Sequence, residues 1–557
     1  MPSELHSTIL SNPLSELNAA FDAACAKGDE AALKHGAVLS LASKVEAVLE
    51  RDGASAVPSL NVLRQEELPA GALVRFQGMV MDMHDPEYYA GVYEEVRPDG
   101  ASRMRTGKFR DTFDEPAGCT IRPRSDFTWQ RTPIVCAPCE PEAAPDPHAA
   151  WSRSAALGTS LVKLYDGAEE GAGEASLRLN DVVEFYGVLE LGGETDVADG
   201  DESAISMLVD EQKALRPPPS AQPRLHCLYY RKIAGGAAHP LLPAPDTYAE
   251  TLAYQLARHH VADARAAVTA QLAAALGGDG VAAELTLWSV LSRVITRRGE
   301  APIGKLPLNI TGCPSAVAQP AASPVGAALQ GALSALLPCV VPFRLTIETL
   351  NATPMVPRKD YSANILSPGA LQLPAGAALL IDETGLAPGK LSEAGLKSLG
   401  ALKDLIARQK LAFDFTYFAH DVDADVSLLS LSSLKSVLAK DSPGLLQVAL
   451  AVQPDAPQPP PLDAASLEAA RTYLGLAVRC LSSLKPTDEK LAAALQDDFV
   501  AARRADATVS PDDFSHWLTC ARLHAASCLA TEVSIEHYMH AKQVEAARVA
   551  RLRQVEV

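Results

Sequence analysis

The sequence predicts a multidomain protein of the α/β plus β class, with helices at both ends and a β domain and an α/β domain between them. Three features lead to this prediction. Residues 66–240 contain short alternating strands separated by turns. Residues 245–455 alternate between strand-like and helix-like segments, and proline-rich stretches separate these regions. The remaining domains are therefore an N-terminal helical region at 1–65 and a C-terminal helical domain at 462–557.

The composition limits the functions that are plausible. The 557 residues exceed what one core organises, and a prior of about 150 residues per domain suggests three or four domains. A hydrophobic content of 48% and a charged content of 21% are typical of a soluble globular protein. The formal net charge of −19 argues against nucleic acid as the main partner, because phosphate binding requires a positive field.

Membrane and export signals are lacking in the sequence. No apolar run approaches the roughly 18 residues of a membrane helix, and the N-terminus lacks the basic start and apolar core of a signal peptide. The ten cysteines are scattered without a spacing pattern, so we expect reduced thiols. We therefore expect an intracellular protein without a membrane partner.

The N-terminal helices and the β domain show clear local signals. Asn12 followed by Pro13 is typical of an N-cap and a first helical position, and a second helix is predicted at 29–51. Apolar and polar residues alternate from 74 to 80, and 89–96 predicts another strand. Several short strands joined by turns indicate a small barrel or sandwich, in which a turn at Asn180-Asp181 opens a late strand.

The second half of the chain is predicted to mix helices with buried strands. We predict helices at 246–274 and 281–298, a strand at 306–310, a helix at 326–337 and a strand at 343–347. The C-terminal domain is expected to be helical throughout. Its helix start signals are Thr487, Ser510 and Ser534.

One stretch organises this second half. An apolar run at 377–381 predicts a strand buried on both faces, and a helix is predicted at 391–409. Asp382 and Glu383 lie at the end of that strand. Two adjacent carboxylates in this place are how a nucleoside triphosphatase presents a Mg²⁺ anchor and a base for the attacking water.

The chain resembles the minichromosome maintenance complex-binding protein family. The most specific segment that carries the resemblance is LVRFQGMVMDMHDPEYYAGVY at 73–93. Further segments are RLHCLYY at 224–230, LNITGCP at 308–314 and KDYSAN at 359–364. The resemblance implies association with subunits of the replicative helicase in the nucleus, with only indirect contact to chromatin. It further implies roles in complex assembly or unloading from chromatin during DNA replication, and in sister-chromatid cohesion.

A second likeness is to the helicase subunits themselves. The segment LRLNDVVEFYG at 177–187 is similar to a strand of their oligonucleotide-binding (OB) barrel, and LIDE at 380–383 is similar to their Walker B element. The helices within 473–546 look like the lid of their ATPase module. The likeness implies an OB-like barrel, a degenerate AAA+-like α/β domain and a lid-like helical domain.

The phosphate-binding half of such a site is degraded in this sequence. A phosphate loop needs a lysine and a Mg²⁺-binding hydroxyl. The loop that begins at Gly312 has the outline of the helicase subunits' loop, but Ala318 replaces the lysine and Gln319 replaces the hydroxyl residue. We therefore expect no hydrolysis and no cofactor, and we interpret Gly312, Ala318, Gln319, Asp382 and Glu383 as vestigial positions.

Two other functions remain as alternatives. The first is an active AAA+ ATPase, which Asp382 and Glu383 alone support. The second is a single-stranded-DNA-binding adaptor that uses the OB-like domain, where cations lie near aromatic residues. These cations are Arg103, Arg105, Lys108 and Arg110.

Two short patterns in the sequence contain residues that could bind a metal. Cys136, Cys139 and His148 would supply only three zinc ligands in a predicted surface insertion, so free thiols in a loop are expected there. The pair His259-His260 is expected to lie on the surface without further ligands.

Overall fold

A computed structural model describes most of the chain. The described residues are 8–27, 39–63, 65–69, 71–111, 118–138, 159–165, 177–190, 222–233, 260–315, 323–362, 365–440, 442, 444–453, 459–460, 462–485 and 489–555. The chain divides into two compact units. The first comprises Met1–Ile233 and Arg358–Pro368, and the second comprises Ala234–Pro357 and Gly369–Val557.

The secondary structure confirms the predicted class of a mixed α/β protein with terminal helices and a β-barrel. The four predicted domain boundaries stay a prediction. The described helices are α1 (Pro13–Lys27), α2 (Ala42–Asp52), α3 (Val261–Ala275), α4 (Gly280–Leu291), α5 (Pro324–Leu336), α6 (Ile347–Ala352), α7 (Glu393–Arg408), α8 (Ala464–Ser483), α9 (Glu489–Ala505), α10 (Pro511–Ser527) and α11 (Ile535–Val555).

The strands are shorter than the helices and are distributed over both units. They are β1 (Val74–Met83), β2 (Glu87–Ala90), β3 (Val92–Val96), β4 (Ser102–Thr106), β5 (Thr120–Pro123), β6 (Thr128–Pro138), β7 (Ser160–Tyr165), β8 (Val182–Leu189), β9 (Arg224–Lys232), β10 (Thr296–Arg298), β11 (Ala301–Ile303), β12 (Leu308–Thr311), β13 (Val340–Arg344), β14 (Arg358–Asp360), β15 (Ile365–Ser367), β16 (Ala378–Asp382), β17 (Lys410–Asp414), β18 (Ala419–Asp423), β19 (Ser427–Leu431) and β20 (Leu446–Ala449).

The first unit contains a closed five-stranded barrel. Its strands follow the order β1-β8-β9-β7-β6 and then return to β1, while β2 extends the sheet beyond β6. Only β7 and β9 pair in parallel within the barrel. The predicted alternation in β1 is confirmed because Val74, Phe76 and Val80 are buried in the barrel core. Asn180 adopts a left-handed conformation (φ 69°) in the predicted turn before β8.

The predicted strand at 89–96 is wrong as a single element. The chain breaks at Gly91, so that β2 pairs with β6 whereas β3 pairs with β4 and β5. The cause is the indole of Trp129, which lies so close that a Cβ at position 91 would be 2.0 Å from its Cδ2 atom. A glycine is required there because only hydrogen fits beneath the ring.

The N-terminal helices share a core with one side of the barrel. The Asn12 side chain accepts a hydrogen bond from the Ser15 N–H (3.2 Å), which confirms the predicted N-cap. Leu17 and Phe21 of α1 are buried in a cluster that includes barrel residues such as Tyr229. The continuous helix predicted at 29–51 is wrong, since residues 39–41 are not helical and α2 begins after them.

The second unit is built on a parallel sheet. Its strand order is β13-β16-β19-β12-β20, and all of the pairs in this sheet are parallel. The strands β16 and β19 are buried along their whole length, as the apolar run at 377–381 predicted. Trp288, Tyr473 and Tyr538 bring the α/β elements and the C-terminal helices into one hydrophobic core.

Helix boundaries in this unit follow local capping signals. Ser510 and Asp513 form a capping box with Pro511 in the first turn, as predicted for α10. The helix predicted at 281–298 is wrong beyond Leu291, because the chain turns there into the β10–β11 hairpin. Arg297 in that hairpin donates hydrogen bonds to the carbonyls of Arg408 (2.7 Å) and Gln409 (2.8 Å).

We expect Gly187→Ala to destabilise the barrel. A Cβ at position 187 in β8 would lie 2.2 Å from the backbone oxygen of His226, and overpacking of this kind costs about 1–3 kcal/mol. The measurement is the midpoint of urea unfolding. Gly331→Ala on α5 is the control, because nothing lies within 4 Å of its Cβ position and alanine favours a helix by about 1 kcal/mol. An unchanged midpoint for Gly187→Ala would contradict the packing argument.

Candidate functional site

The parallel sheet brings three of the five positions that were predicted to be vestigial to one edge. Gly312 follows β12, and Asp382 and Glu383 lie at the end of β16, with β19 between these two strands. Because parallel strands end at the same edge, these residues lie where ligands bind in open α/β sheets. Gly312 has a φ of 82°, which favours glycine in the turn out of the strand. Ala318 and Gln319 lie outside the described residues.

Asp382 is engaged by the protein's own donors. Its Oδ2 atom accepts a hydrogen bond from the backbone N–H of Ser323 (2.9 Å). Its Oδ1 atom accepts from the backbone N–H of Thr384 (2.9 Å) and from the Thr384 hydroxyl. Ser323 is the N-cap of α5, and its hydroxyl accepts from the Gly326 N–H (3.0 Å). The Asp382 carboxylate therefore takes the anion position at a helix N-terminus.

Glu383 is held in the same way by β19 and the loop that follows it. Its Oε1 atom accepts from the hydroxyls of Ser436 (2.6 Å) and Ser430 (3.2 Å), and its Oε2 atom accepts from the Val437 N–H (2.8 Å). Burial raises the pKa of Glu383, and these donors act against that shift. The side chain therefore connects two strands. A general base needs a carboxylate oxygen directed at a water, whereas both oxygens of Glu383 accept hydrogen bonds from the protein.

Further side chains close this edge between β12 and β19. Asn309 and Ser432 exchange hydrogen bonds at 3.0 and 3.1 Å, and the Thr311 hydroxyl donates to the carbonyl of Leu434 (2.7 Å). Cys313 is buried, and both burial and the nearby Asp382 charge raise the pKa of its thiol to about 12. This thiol is therefore protonated at neutral pH and is a poor nucleophile.

Sequence reasoning missed the serines that hold the two carboxylates. Ser323 followed by Pro324 is a helix start signal, so its position as an N-cap was readable from the sequence. Ser430 and Ser436 give no such signal, because their role depends on Glu383 approaching from another strand.

The basic residues proposed as a DNA-binding face are largely neutralised. Arg103 forms an ion pair with Asp22 (2.5 Å), and Arg105 pairs with Glu95 (3.3 Å). Lys108 is buried and lies over a phenyl ring. Paired and buried cations are poorly placed to neutralise phosphates.

The candidate zinc ligands are not brought together within the described residues. Cys136 lies in β6, where it pairs in register with Val80 and is buried in the barrel core. The prediction of a loop at this cysteine is therefore wrong, because strand pairing with β1 continues through it. Cys139, His148 and His259 lie outside the described residues, and His260 is exposed as expected.

Two other clusters have the residue types of metal sites. In the second unit, the Glu284 Oε1 atom lies 3.5 Å from His524 Nδ1 and 3.7 Å from His540 Nε2. The guanidinium of Arg265 pairs with Glu284 and lies 3.4 Å from His524 Nδ1. This arginine supplies the positive charge that a metal would otherwise provide, so we interpret the cluster as a buried ion pair.

The second cluster lies in the barrel unit and contains Asp111, Glu190 and His226. Three cations already contact Asp111, since Arg131 lies 2.6 Å and Lys163 lies 2.5 Å from its Oδ1 atom and Arg224 lies 3.4 Å from its Oδ2 atom. Burial lowers the pKa of Lys163 to about 8, although the adjacent carboxylates act in the opposite direction. The arrangement is again an internal ion-pair network.

No helix among the described residues has the length and apolarity to cross a bilayer.

Comparison with known proteins gives one consistent result. A family model described as "Mini-chromosome maintenance replisome factor" matches residues 45–144 and 149–552. A protein from Salmo salar is 29% identical, with 91% of this chain and 92% of that protein covered. A protein from Arabidopsis thaliana is 28% identical, with 98% and 99% covered, and one from Homo sapiens is 27% identical, with 91% and 93% covered. All three are named "Mini-chromosome maintenance complex-binding protein".

We expect Asp382→Asn and Glu383→Gln each to lower stability by about 1–3 kcal/mol. For Asp382→Asn the reason is that a backbone N–H faces each carboxylate oxygen, so the amide N–H₂ would meet a donor in either orientation. For Glu383→Gln the reason is that hydrogen bonds to a charged acceptor are replaced by weaker neutral ones. Thermal unfolding of the full chain is the measurement. Glu393→Gln is the matched control, since that side chain is 85% exposed at the start of α7, and it should shift stability by less than about 0.5 kcal/mol. Equal effects at all three positions would contradict the structural role.

The Glu284 cluster predicts a specific acid limb in the stability profile. Burial opposes ionisation, but the nearby rings of His524 (3.5 Å) and His540 (3.7 Å) and the Arg265 charge lower the pKa of Glu284 from 4.5 to about 2. A lowered carboxyl pKa stabilises the fold above pH 4.5, and this contribution is lost as the pH falls towards 2. Its size is on the order of 3 kcal/mol. Glu284→Gln should flatten the stability profile between these pH values, and an unchanged acid limb would refute the assignment.

Proposed function

Because the chain belongs to the mini-chromosome maintenance replisome factor family, which matches it from residue 45 to 552 with a short gap, we propose that it is a non-catalytic binding protein of the mini-chromosome maintenance helicase. The observation that carries the proposal is the name shared by relatives that align with 89–98% of this chain. A name that persists from Arabidopsis thaliana to Homo sapiens supports a common partner.

The second unit supports the non-catalytic part of the proposal. We propose that its parallel sheet is a degenerate AAA+ domain, in which the strand ends remain but the nucleotide chemistry does not. Asp382 and Glu383 lie at the expected edge, yet their oxygens accept six hydrogen bonds from the protein. Thr384 donates two of these, and Ser323, Ser430, Ser436 and Val437 donate one each. A carboxylate used in this way is a poor Mg²⁺ ligand and a poor base. An active ATPase is therefore the weaker alternative.

The surface charge supports a protein partner. The net charge of −19 and the paired arginines of the barrel unit disfavour direct DNA contact, so the barrel is proposed as an OB-like module without a nucleic-acid role. Within this proposal the protein acts in the nucleus and contacts chromatin through the helicase. There it would assist helicase assembly or unloading during DNA replication, and sister-chromatid cohesion.

We expect the purified full-length chain to retain helicase subunits from a nuclear extract at mild salt and to show no ATP turnover above that of the Glu383→Gln variant. The physical reason for the second result is that Glu383 is hydrogen-bonded to three donors. Quantitative mass spectrometry of the retained proteins and phosphate release are the measurements. Absence of helicase subunits would refute the binding role. Robust turnover that disappears in Glu383→Gln would establish the ATPase alternative.

A further inference from the structure

Two buried cations lie close together where the chain of the second unit runs from α4 to β12. Arg293 follows α4 and is 8% exposed. Lys305 precedes β12, and its side chain is 3% exposed. Arg293 Nη1 and Lys305 Nζ donate hydrogen bonds to the same acceptor, the carbonyl oxygen of Ser292, at 2.8 and 3.1 Å. Two positive charges are therefore held side by side in the interior.

A single carboxylate faces these two charges. Asp425 lies just before β19 and accepts a hydrogen bond from Lys305 Nζ (3.0 Å). Burial opposes ionisation of Asp425, but the charges of Lys305 and Arg293 lower its pKa. Burial lowers the pKa of Lys305 to about 8, although Asp425 acts in the opposite direction, so most of this lysine is protonated at neutral pH. Burial also lowers the pKa of Arg293, and among the described residues only Asp425 opposes that shift. One buried positive charge is left uncompensated, which is unfavourable.

The surrounding charged groups pair with one another nearer the surface. These pairs are Arg297–Asp423, Lys410–Glu300, and Arg408 with Glu300, Asp404 and Asp421. The carboxylates of this outer set are 40–67% exposed, and water and salt screen charges at such exposure. The outer set therefore does little to offset the charge left on Arg293 and Lys305.

Each of the two buried cations has an N–H group for which the described residues provide no acceptor. The Nε atom of Arg293 is buried and has no hydrogen-bond partner, whereas its Nη1 atom donates to the Ser292 carbonyl and to Ser427 Oγ. Lys305 Nζ carries three N–H groups, and two of them donate to Ser292 and Asp425. A buried water would accept hydrogen bonds from the remaining donors but would leave the charge uncompensated. An anion would do both.

We propose that Arg293 Nε and Lys305 Nζ bind a chloride ion near the starts of β12 and β19. A monatomic anion fits this donor set, because an oxyanion such as phosphate presents several acceptor oxygens that would each need a donor. The bound ion compensates the remaining charge and connects the end of α4 to the start of β12. Because parallel strands begin at the same edge, this site lies at the edge of the sheet opposite to Asp382. It does not depend on the proposed binding role.

The first test uses the unmodified full-length chain. Sodium chloride replaces sodium methanesulfonate at constant ionic strength, so that general screening of the net charge is unchanged. We expect the chloride NMR signal to broaden and the unfolding temperature to rise by about 3–5 °C when chloride reaches about ten times its Kd. Equal unfolding temperatures in the two salts, without broadening, would overturn the proposal and leave a buried water as the partner of Arg293.

The second test changes the pH and needs no substitution. Chloride requires the protonated form of Lys305, whose pKa lies at about 8. The Kd for chloride should therefore rise by about tenfold between about pH 7 and pH 9. A Kd that stays constant over this range contradicts the assignment of Lys305 as a donor to the ion.

The third test removes one of the two cations. Lys305→Gln should lose both the chloride-dependent rise in unfolding temperature and the broadening, because the remaining charges of Arg293 and Asp425 then balance. The matched control is Lys410→Gln, since Lys410 pairs with the exposed Glu300 (3.0 Å) in the outer set, and its Kd for chloride should stay within about twofold. Cooperative unfolding in methanesulfonate shows that each variant is folded. The site is wrong if folded Lys305→Gln binds chloride as tightly as the unmodified chain.

Discussion

The second unit depends on one constraint: two buried carboxylates at the end of β16 must accept hydrogen bonds from the protein. Asp382 and Glu383 are each only 6% exposed. Burying a charged or polar group is unfavourable unless hydrogen bonds replace the lost water. Asp382 therefore determines where α5 begins, through the N–H of Ser323, and Glu383 determines how the loop after β19 folds back, through Ser436 and Val437.

The hydrogen bonds that stabilise this arrangement are also the basis for proposing that it is not catalytic. Hydrogen bonds to a charged group are roughly twice as strong as neutral ones, so donors directed at a carboxylate connect the elements that carry them. An active nucleotide site instead leaves carboxylate oxygens directed at a metal or a water. At this edge the neighbouring Asn309 and Ser432 also satisfy each other. A nucleotide would have to break internal bonds before it could gain any of its own.

Local signals in the sequence predicted the elements whose causes are local. The capping box of Ser510, the turn at Asn180 and the alternation of β1 all depend on residues within a few positions of one another, and the structure has them. Errors arose where a distant side chain decides the conformation. The break at Gly91 depends on Trp129 packing across the sheet, and the hairpin that follows α4 is held by Arg297, which donates to a carbonyl 111 residues away in the sequence.

The same dependence on distance explains what the sequence revealed about the site. The pattern at 377–383 predicted the buried strand and its two carboxylates, because apolar runs and charged ends are local features. It could not predict that serines in β19 and at the N-cap of α5 would donate hydrogen bonds to those carboxylates. The result reverses the usual arrangement of an enzyme cleft, which places reactive polar groups in an accessible pocket. In the second unit the polar groups of the sheet edge bond to one another, while Tyr417 and Phe418 face water at the β17–β18 tip. The carboxylate oxygens of this edge already accept hydrogen bonds from the protein, and this is the physical ground on which we propose a binding role without catalysis.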